Sequence, residues 1–398
     1  MGVWNVFGIP LEFYLFGLIL IGVAVAHKSA LWISLTGLAA IIVAKLVLSD
    51  FSEGAGLEGL GLHMAHEWVL LANLFLLLLG FAILANQFEL SNMPEALPGY
   101  LPRGWTGGLV LLAMIFVLSI FLDNIAGAVV GGVVARHAYR DKVSIGYMAA
   151  IVTAANAGGA GSVIGDTTTT MIWIAGVSPL TVAPAFIGAG AAFAVFGIAG
   201  ALQQHRHAPI QPHEGAPLPI RWMRLGTVAV MLLALLATNV LVSGFAPQVE
   251  HLVPALGLGL WAAILVTAPL RAPDWSVLPS AAKGAVFLVA LVAAASLMPV
   301  DSLPPPSWQS TFLIGAVASV FDNIPLTALA LKQGGYDWAL LAYSAGVGGS
   351  AIWFGSSAGV ALTSLFPEGR SVVRWVREGW YVPVSFVFGF FVMLWIGG

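Results

Sequence analysis

The stretch "NAGGAGSVIGDTTTT", residues 156–170, places an aspartate inside a long apolar run, and "GVGGSAIWFGSSAGV", residues 346–360, repeats its pattern. The two stretches align without a gap, and the alignment places Asp166 on Ser356. Clustered glycines weaken a membrane helix, and the carbonyl oxygens freed by a break can coordinate a cation. Close helix packing is the other common use of such glycines. Packing alone does not require an adjacent aspartate, so we predict an interrupted helix in each half of the chain.

A second repeated motif contains Asp123-Asn124, within "FLDNIAGAVV", and Asp322-Asn323, within "VFDNIPLTAL". A charged side chain at the centre of a membrane costs about 3 kcal/mol on insertion scales and is by default a candidate functional group. The alternative is a helix cap that satisfies backbone N–H groups at a break. A neutral Ser or Asn would cap at a lower cost, so the aspartates indicate a function beyond capping.

The composition identifies the class of protein in which these motifs lie. Of 398 residues, 59% are hydrophobic and only 8% are charged, and a membrane-spanning helix needs about 20 apolar residues. The sequence supplies such runs many times, which predicts an all-α polytopic membrane protein. The absence of cysteine excludes disulfides and thiolate metal sites. No long basic stretch occurs, so nucleic acid is excluded as a partner.

Basic loops predict how the chain threads the membrane, because cytoplasmic loops are enriched in Lys and Arg. If 105–122 crossed fully, the basic loop 136–142 would lie outside, whereas a re-entrant hairpin with Asp123 at its tip returns it to the cytoplasm. A second hairpin over 308–333 does the same for the basic cluster 370–377. Other segments predicted to be cytoplasmic contain Lys28, Arg206, Arg221, Arg224, Arg271 and Lys283, and segments predicted to be outside contain Asp50, Glu53, Glu58 and Asp301.

Each half then has five spans and one hairpin, and an odd number of crossings requires the second half to be inverted. The predicted architecture is an inverted repeat of five transmembrane spans plus one re-entrant hairpin each, with interrupted helices at the midplane. Residues 1–202 form the first repeat, 203–221 a cytoplasmic linker, and 222–398 the second, inverted repeat.

The polar residues of these motifs predict an ion-binding site built from oxygen atoms, which suit a hard cation such as Na⁺ or Li⁺. Threonines in membrane helices often bond to their own backbone, so only the first two of Thr167 to Thr170 are included. The predicted ion-binding residues are Asp123, Asn124, Asn156, Asp166, Thr167, Thr168, Asp322, Asn323 and Ser356, with Asp123, Asp166 and Asp322 as metal ligands.

At "AANAGGAGSVIGDTTTTMIWI", "FLDNIAGA", "FDNIPLTA" and "YSAGVGGSAIWFGSSAGVA", the sequence resembles the NhaD-type sodium/proton antiporters. These belong to the ion-transporter superfamily, which also contains arsenite permeases and citrate or dicarboxylate symporters. The resemblance covers most of the chain. It implies two re-entrant hairpins that meet unwound helices at the midplane, transport by alternating access, and a bacterial cytoplasmic membrane.

We therefore interpret the chain as a secondary active transporter, not an enzyme, that exchanges Na⁺ or Li⁺ for H⁺. Carboxylates that share a site of low dielectric constant hold protons more tightly, so H⁺ can compete with the metal ion. The main alternative is a cation-coupled permease for citrate, a dicarboxylate or arsenite on the same fold. An intramembrane aspartyl protease is disfavoured because "VIGD" lacks the first glycine of the GxGD pattern, and a channel would differ by uncoupled flux.

The remaining predictions concern location and partners. We expect a multi-pass protein of the plasma membrane with lipid and a small inorganic cation as partners, and a homodimer is left open. No cofactor is predicted beyond the transported Na⁺ or Li⁺ and H⁺.

Overall fold

A computed structural model describes residues 5–6, 9–26, 29–210, 219–245 and 252–397. The predicted cytoplasmic position of Lys28 and residues 211–218 of the predicted linker lie outside the described residues. In chain order the first elements are β1 Asn5–Val6, β2 Ile9–Pro10, α1 Leu11–Val25, α2 Ala30–Leu48, α3 Gly56–Glu89, α4 Met93–Ala96, α5 Trp105–Phe121, α6 Asn124–Ala138, α7 Ile145–Ala160, α8 Thr167–Ile174, α9 Pro179–Val182 and α10 Ala185–His207.

The second part of the chain is also helical. Its elements are α11 Trp222–Phe245, α12 Ala255–Thr267, α13 Leu278–Ser296, α14 Trp308–Ala318, α15 Asn323–Gln333, α16 Trp338–Gly348, α17 Ser357–Leu365, α18 Val372–Glu378 and α19 Tyr381–Gly397, and single 3-10 turns cover Leu97–Tyr100, Trp275–Val277, Val300–Ser302 and Pro367–Arg370. The strands β1 and β2 pair antiparallel over two residues each.

Several helices are long and apolar enough to cross a membrane. Within the described residues five qualify by length and composition: Ala30–Leu48, Gly56–Glu89, Pro179–His207, Trp222–Val242 and Trp275–Ser296. A sixth span is obtained if α18 and α19, which are bent by 59° at their junction, are counted as one. The protein is thus a helical, multi-pass membrane protein as the composition predicts, while the inversion of the two halves stays a prediction.

Both predicted helix interruptions are present. The apolar run that begins near residue 144 divides into α7 and α8, and the run that begins at 338 divides into α16 and α17. Asp166 precedes α8 with φ −146° and ψ 138°, and Ser356 precedes α17 with φ −144° and ψ 151°. The aligned residues therefore share one extended backbone conformation and one position, immediately before a new helix.

Both Asp-Asn pairs lie at helix breaks. Helix α5 ends at Phe121, and α6 begins at Asn124 and packs against α5. Helix α15 likewise begins at Asn323. Helix α14 begins with a capping box in which Ser307 and Ser310 bond to each other's backbone N–H at 2.9 and 3.2 Å. The sequence therefore locates both breaks correctly, and the re-entrant path of each hairpin stays a prediction.

The helices group into two compact units. One contains residues 1–83, 230–306 and 324–335, and the other contains 84–229, 307–323 and 336–398. Each unit combines segments from both predicted halves. The two units therefore do not correspond to the two predicted repeats, and the repeat boundaries at 202 and 222 stay a prediction.

The hairpin formed by α5 and α6 makes a testable prediction about membrane sidedness. Arg103 precedes α5, His137 lies near the end of α6, and both are exposed. In this naturally cysteine-free chain, Arg103→Cys and His137→Cys are expected to react with an impermeant maleimide from the cytoplasmic face only. Asp301→Cys, exposed and predicted to be outside, is the control for the opposite face. Labelling of Arg103→Cys and His137→Cys from opposite faces would contradict the hairpin.

Candidate ion-binding site

Asp166 is the centre of the candidate site, which lies within the unit containing residues 84–229. Its side chain is 1% exposed. One carboxylate oxygen, Oδ1, accepts a hydrogen bond of 2.9 Å from the Thr168 backbone N–H and so caps α8. The other oxygen, Oδ2, is buried and accepts no hydrogen bond of ordinary length, and the Thr168 hydroxyl and the Asn124 amide interact with the carboxylate more weakly. Capping therefore accounts for one oxygen of the carboxylate only.

The threonines that follow Asp166 divide into two groups. Thr169 Oγ1 donates to the Ser162 carbonyl at 2.6 Å, and Thr170 Oγ1 donates to the Val163 carbonyl at 2.9 Å. These two hydroxyls satisfy the backbone of the break. Thr168 is fully buried, and its hydroxyl makes no hydrogen bond of ordinary length but interacts with the Asp166 carboxylate. The structure therefore separates the last two threonines from the first two, and the role of Thr167 and Thr168 as ion ligands stays a prediction.

The aspartates at the helix breaks lie in the same unit as Asp166. The Asp123 carboxylate interacts electrostatically with Asp166, and Asp166 interacts in the same way with Asp322. Asp123 Oδ1 is buried without a hydrogen bond, whereas Asp322 Oδ2 accepts one of 3.0 Å from Ser357 Oγ. Asp166 is therefore close enough to interact electrostatically with each of the other two carboxylates, and the role of the three as metal ligands stays a prediction.

The three carboxylates do not form one compact metal centre. Among the described residues, no group of three or more His, Asp or Glu side chains could hold a metal ion together. A cation at this site would be held by fewer carboxylates, together with amide, hydroxyl or carbonyl oxygens.

The two amide residues Asn124 and Asn156 belong to one hydrogen-bonded chain. Asn124 Nδ2 donates to Asn156 Oδ1 at 3.0 Å. Asn156 Nδ2 donates in turn to Ser350 Oγ at 2.9 Å and to Ser356 Oγ at 3.1 Å. This chain links the tip of the first hairpin to both interrupted helices. Ser350 and Ser357 are absent from the predicted site, and only their positions beside the second glycine motif could have indicated them.

The remaining predicted site residues are buried as expected. Thr167 is 5% exposed and Asn323 is 2% exposed. Thr167 begins α8 and Asn323 begins α15, so each stands at the start of a helix whose first N–H groups lack helical partners.

The glycines of the motif allow the broken helix to approach its neighbour closely. A Cβ atom on Gly158 would lie 2.0 Å from the Phe116 carbonyl oxygen, and one on Gly165 would lie 1.9 Å from that of Ser119. The aligned glycines behave alike, since a Cβ on Gly348 would lie 2.3 Å from the Gly315 carbonyl oxygen and one on Gly355 would lie 2.5 Å from that of Ser319. Helix interruption and close packing, which the sequence presents as alternatives, are both realised.

Gly165→Ala is expected to destabilise the protein, because the new methyl group would overlap the backbone of α5 and no flexible side chain could move away. Overpacking of this kind costs about 3 kcal/mol, measurable as a fall in the thermal midpoint of the purified protein. Gly190→Ala is the matched control, since a Cβ there has no neighbour within 4 Å. Equal midpoints for the two variants would contradict the close approach.

No protein-family model matches the chain. Its sequence is 27% identical over 358 residues to the Na⁺/H⁺ antiporter NhaD of Vibrio parahaemolyticus, covering 75% of this chain and 84% of that protein. The chain is similar to known sodium/proton antiporters. The resemblance to NhaD-type antiporters predicted from the motifs is thereby confirmed.

Two plant relatives support the same conclusion. Sodium/proton antiporter 1 of Arabidopsis thaliana is 28% identical over 303 residues, covering 66% of this chain and 50% of that protein. Sodium/proton antiporter 2 of the same plant is 29% identical over 297 residues, covering 63% of this chain and 67% of that protein. The chain therefore spans about half the length of the first of these relatives.

A second group of buried ionisable side chains, in the unit containing residues 1–83, was missed by the sequence analysis. Glu12 and Lys45 are 2% and 5% exposed, and His63 is 1% exposed. The His63 ring contacts Glu53 Oε2 at 3.1 Å and Ser296 Oγ at 3.0 Å. Because Glu12 and Lys45 lie within apolar runs, the rule that singles out membrane-embedded charges would have found them.

Proposed function

We propose that the protein is a secondary active transporter that exchanges Na⁺ or Li⁺ for H⁺. The observation that carries the proposal is the buried Asp166 carboxylate at a helix interruption, with one oxygen used as a cap and the other without a hydrogen bond of ordinary length. An uncompensated buried carboxylate is costly in a membrane. Binding of either a proton or a small cation removes that cost, which is the requirement for exchange.

In this mechanism the aspartates alternate between a protonated and a cation-bound form. Because neighbouring carboxylates repel each other, the ion-free site favours uptake of a proton or a cation by at least one of them. Oxygen ligands from a carboxylate, a hydroxyl and a backbone carbonyl suit a hard monovalent cation. Exposure of the same site to each side of the membrane in turn then couples the two fluxes. The three similar proteins named sodium/proton antiporters support this proposal.

The anion-symport alternative has less support. A carboxylate or arsenite substrate needs positive charge, and the two repeated motifs contain no Lys or Arg. The curated proteins to which the chain is similar are named for cation exchange. The similarity to transporters likewise gives no support to a protease.

We place the protein in the bacterial cytoplasmic membrane, with membrane lipid and a small inorganic cation as partners and no cofactor. A homodimer is left open.

The test is Na⁺-driven dissipation of an imposed pH gradient in proteoliposomes that contain no organic anion, followed with a pH-sensitive dye. We expect a saturable signal with Na⁺ and Li⁺ and little with K⁺. Protein-free liposomes provide the control. If no signal occurs between about pH 6 and 9, and flux requires added citrate, dicarboxylate or arsenite, anion symport replaces the proposed function.

A further inference from the structure

The first residue of each glycine motif lies beside the other motif. Asn156, the first residue of the first motif, bonds to Ser350 and Ser356 of the second. The residue aligned with Asn156 is Gly346, which has no side chain. The Asn156 amide therefore has three polar partners within the protein: the hydroxyls of Ser350 and Ser356 and the amide of Asn124.

The opposite side has the same framework without the polar side chain. A Cβ atom on Gly346 would lie 3.3 Å from Asp166 Oδ2, 3.4 Å from Ala160 Cβ and 3.5 Å from the Asn156 backbone oxygen. In the alignment Ala160 corresponds to Ser350, and Asp166 corresponds to Ser356. Asn156 and Gly346 therefore face aligned residues of the other motif. Asn156 meets two neutral hydroxyls, whereas Gly346 meets a methyl group and a carboxylate.

We propose that the transported cation binds on the Gly346 side, between Asp166 Oδ2 and the Asn156 backbone oxygen, and that Gly346 sets the size of the ion accepted. The Asn156 side chain, with its two serines, is then a structural link and not an ion ligand. This proposal rests on the exchange function proposed above and assigns the ion to one of two positionally equivalent places.

Three properties of this position favour a small cation. The position adjoins a carboxylate oxygen that is buried and accepts no hydrogen bond of ordinary length, which supplies negative charge. The same position is near a backbone carbonyl oxygen, the second ligand type that hard cations use. Gly346 contributes no side-chain atom to this position, whereas Asn156 fills the equivalent position with an amide that already donates its hydrogen bonds.

Binding of ²²Na⁺ to the purified full-length protein tests the assignment without requiring transport. Gly346→Ala would place a methyl group 3.3 Å from the carboxylate oxygen, a contact that small movements can accommodate in the ion-free protein but that competes with the ion. We expect the half-saturating Na⁺ concentration to rise at least about tenfold. Li⁺, which is smaller, is expected to lose less affinity when it is measured as a competitor of ²²Na⁺.

Two further variants make the test specific. Gly190→Ala has open space around its Cβ and is expected to bind Na⁺ as the wild type does. Ser350→Ala removes one acceptor of the Asn156 amide, so it is expected to lower the thermal midpoint while changing the half-saturating Na⁺ concentration by less than about threefold. The thermal midpoint of every variant reports whether it is folded.

The outcomes separate this assignment from the function on which it rests. Unchanged Na⁺ binding in Gly346→Ala, an equal loss in Ser350→Ala, or no Na⁺ binding by the wild type would overturn the assignment. If the variants bind as expected but the wild type in liposomes exchanges no Na⁺ for H⁺, the proposed function alone fails.

Discussion

Asp166→Asn is expected to lower Na⁺-driven proton exchange at least about 100-fold, which corresponds to about 2.7 kcal/mol. The amide keeps an oxygen that can accept the 2.9 Å hydrogen bond from the Thr168 N–H, so the cap on α8 is preserved. It cannot carry a negative charge or release a proton, so both halves of the exchange are lost. Because the variant also removes a buried charge, it should insert and fold normally.

The measurement is the initial rate of dissipation of a pH gradient in proteoliposomes with equal amounts of reconstituted protein. Asp322→Asn is expected to abolish exchange as well, whereas Asp301→Asn, an exposed carboxylate outside the site, should exchange like the wild type. Normal exchange by both Asp166→Asn and Asp322→Asn would show that these aspartates are structural caps.

The second large effect concerns pH. If Na⁺ and H⁺ compete for the same carboxylates, protonation removes the charge that binds Na⁺. The half-saturating Na⁺ concentration should then rise roughly tenfold for each pH unit below the pKa of the site. Above that pH the site is deprotonated, and the half-saturating concentration should become constant.

This dependence can be measured as exchange rate against Na⁺ concentration at several pH values, and repeated with Li⁺. The maximal rate at saturating Na⁺ is the internal control. Pure competition raises the half-saturating Na⁺ concentration and leaves this maximal rate unchanged. A half-saturating concentration that stays the same from about pH 6 to 9 would show that the proton and the cation use different groups.

The local features of the site could be predicted from the sequence. The interruptions before α8 and α17 are encoded by residues that act within a few positions: glycines that weaken a helix, and the Asp166 and Ser356 side chains that cap the next one. The break at Asp123 is indicated by its polar pair, although the Asp123 side chain makes no capping hydrogen bond. The aligned motifs also predict that Asp166 and Ser356 occupy equivalent places, and both begin a helix with the same extended backbone.

The pairing of these features could not be predicted, because it depends on contacts between residues distant in sequence. Asn156 and Ser356 are separated by 200 positions, yet their side chains are 3.1 Å apart. The sequence does not indicate that the Asn156 amide bonds to the second motif while the aligned Gly346 lies beside the Asp166 carboxylate. The same holds for His63, whose ring contacts Glu53 and also Ser296, 233 positions away.

The sequence by itself determined that the chain is a membrane protein, where its helices break, and which polar residues stand at the breaks, since apolar runs, glycines and capping residues act locally. Only the tertiary structure decided which of those polar groups satisfy one another and which do not. That distinction depends on how α7 and α16 pack together, and packing leaves Asp166 Oδ2 without a hydrogen bond of ordinary length while it satisfies the Asn156 amide.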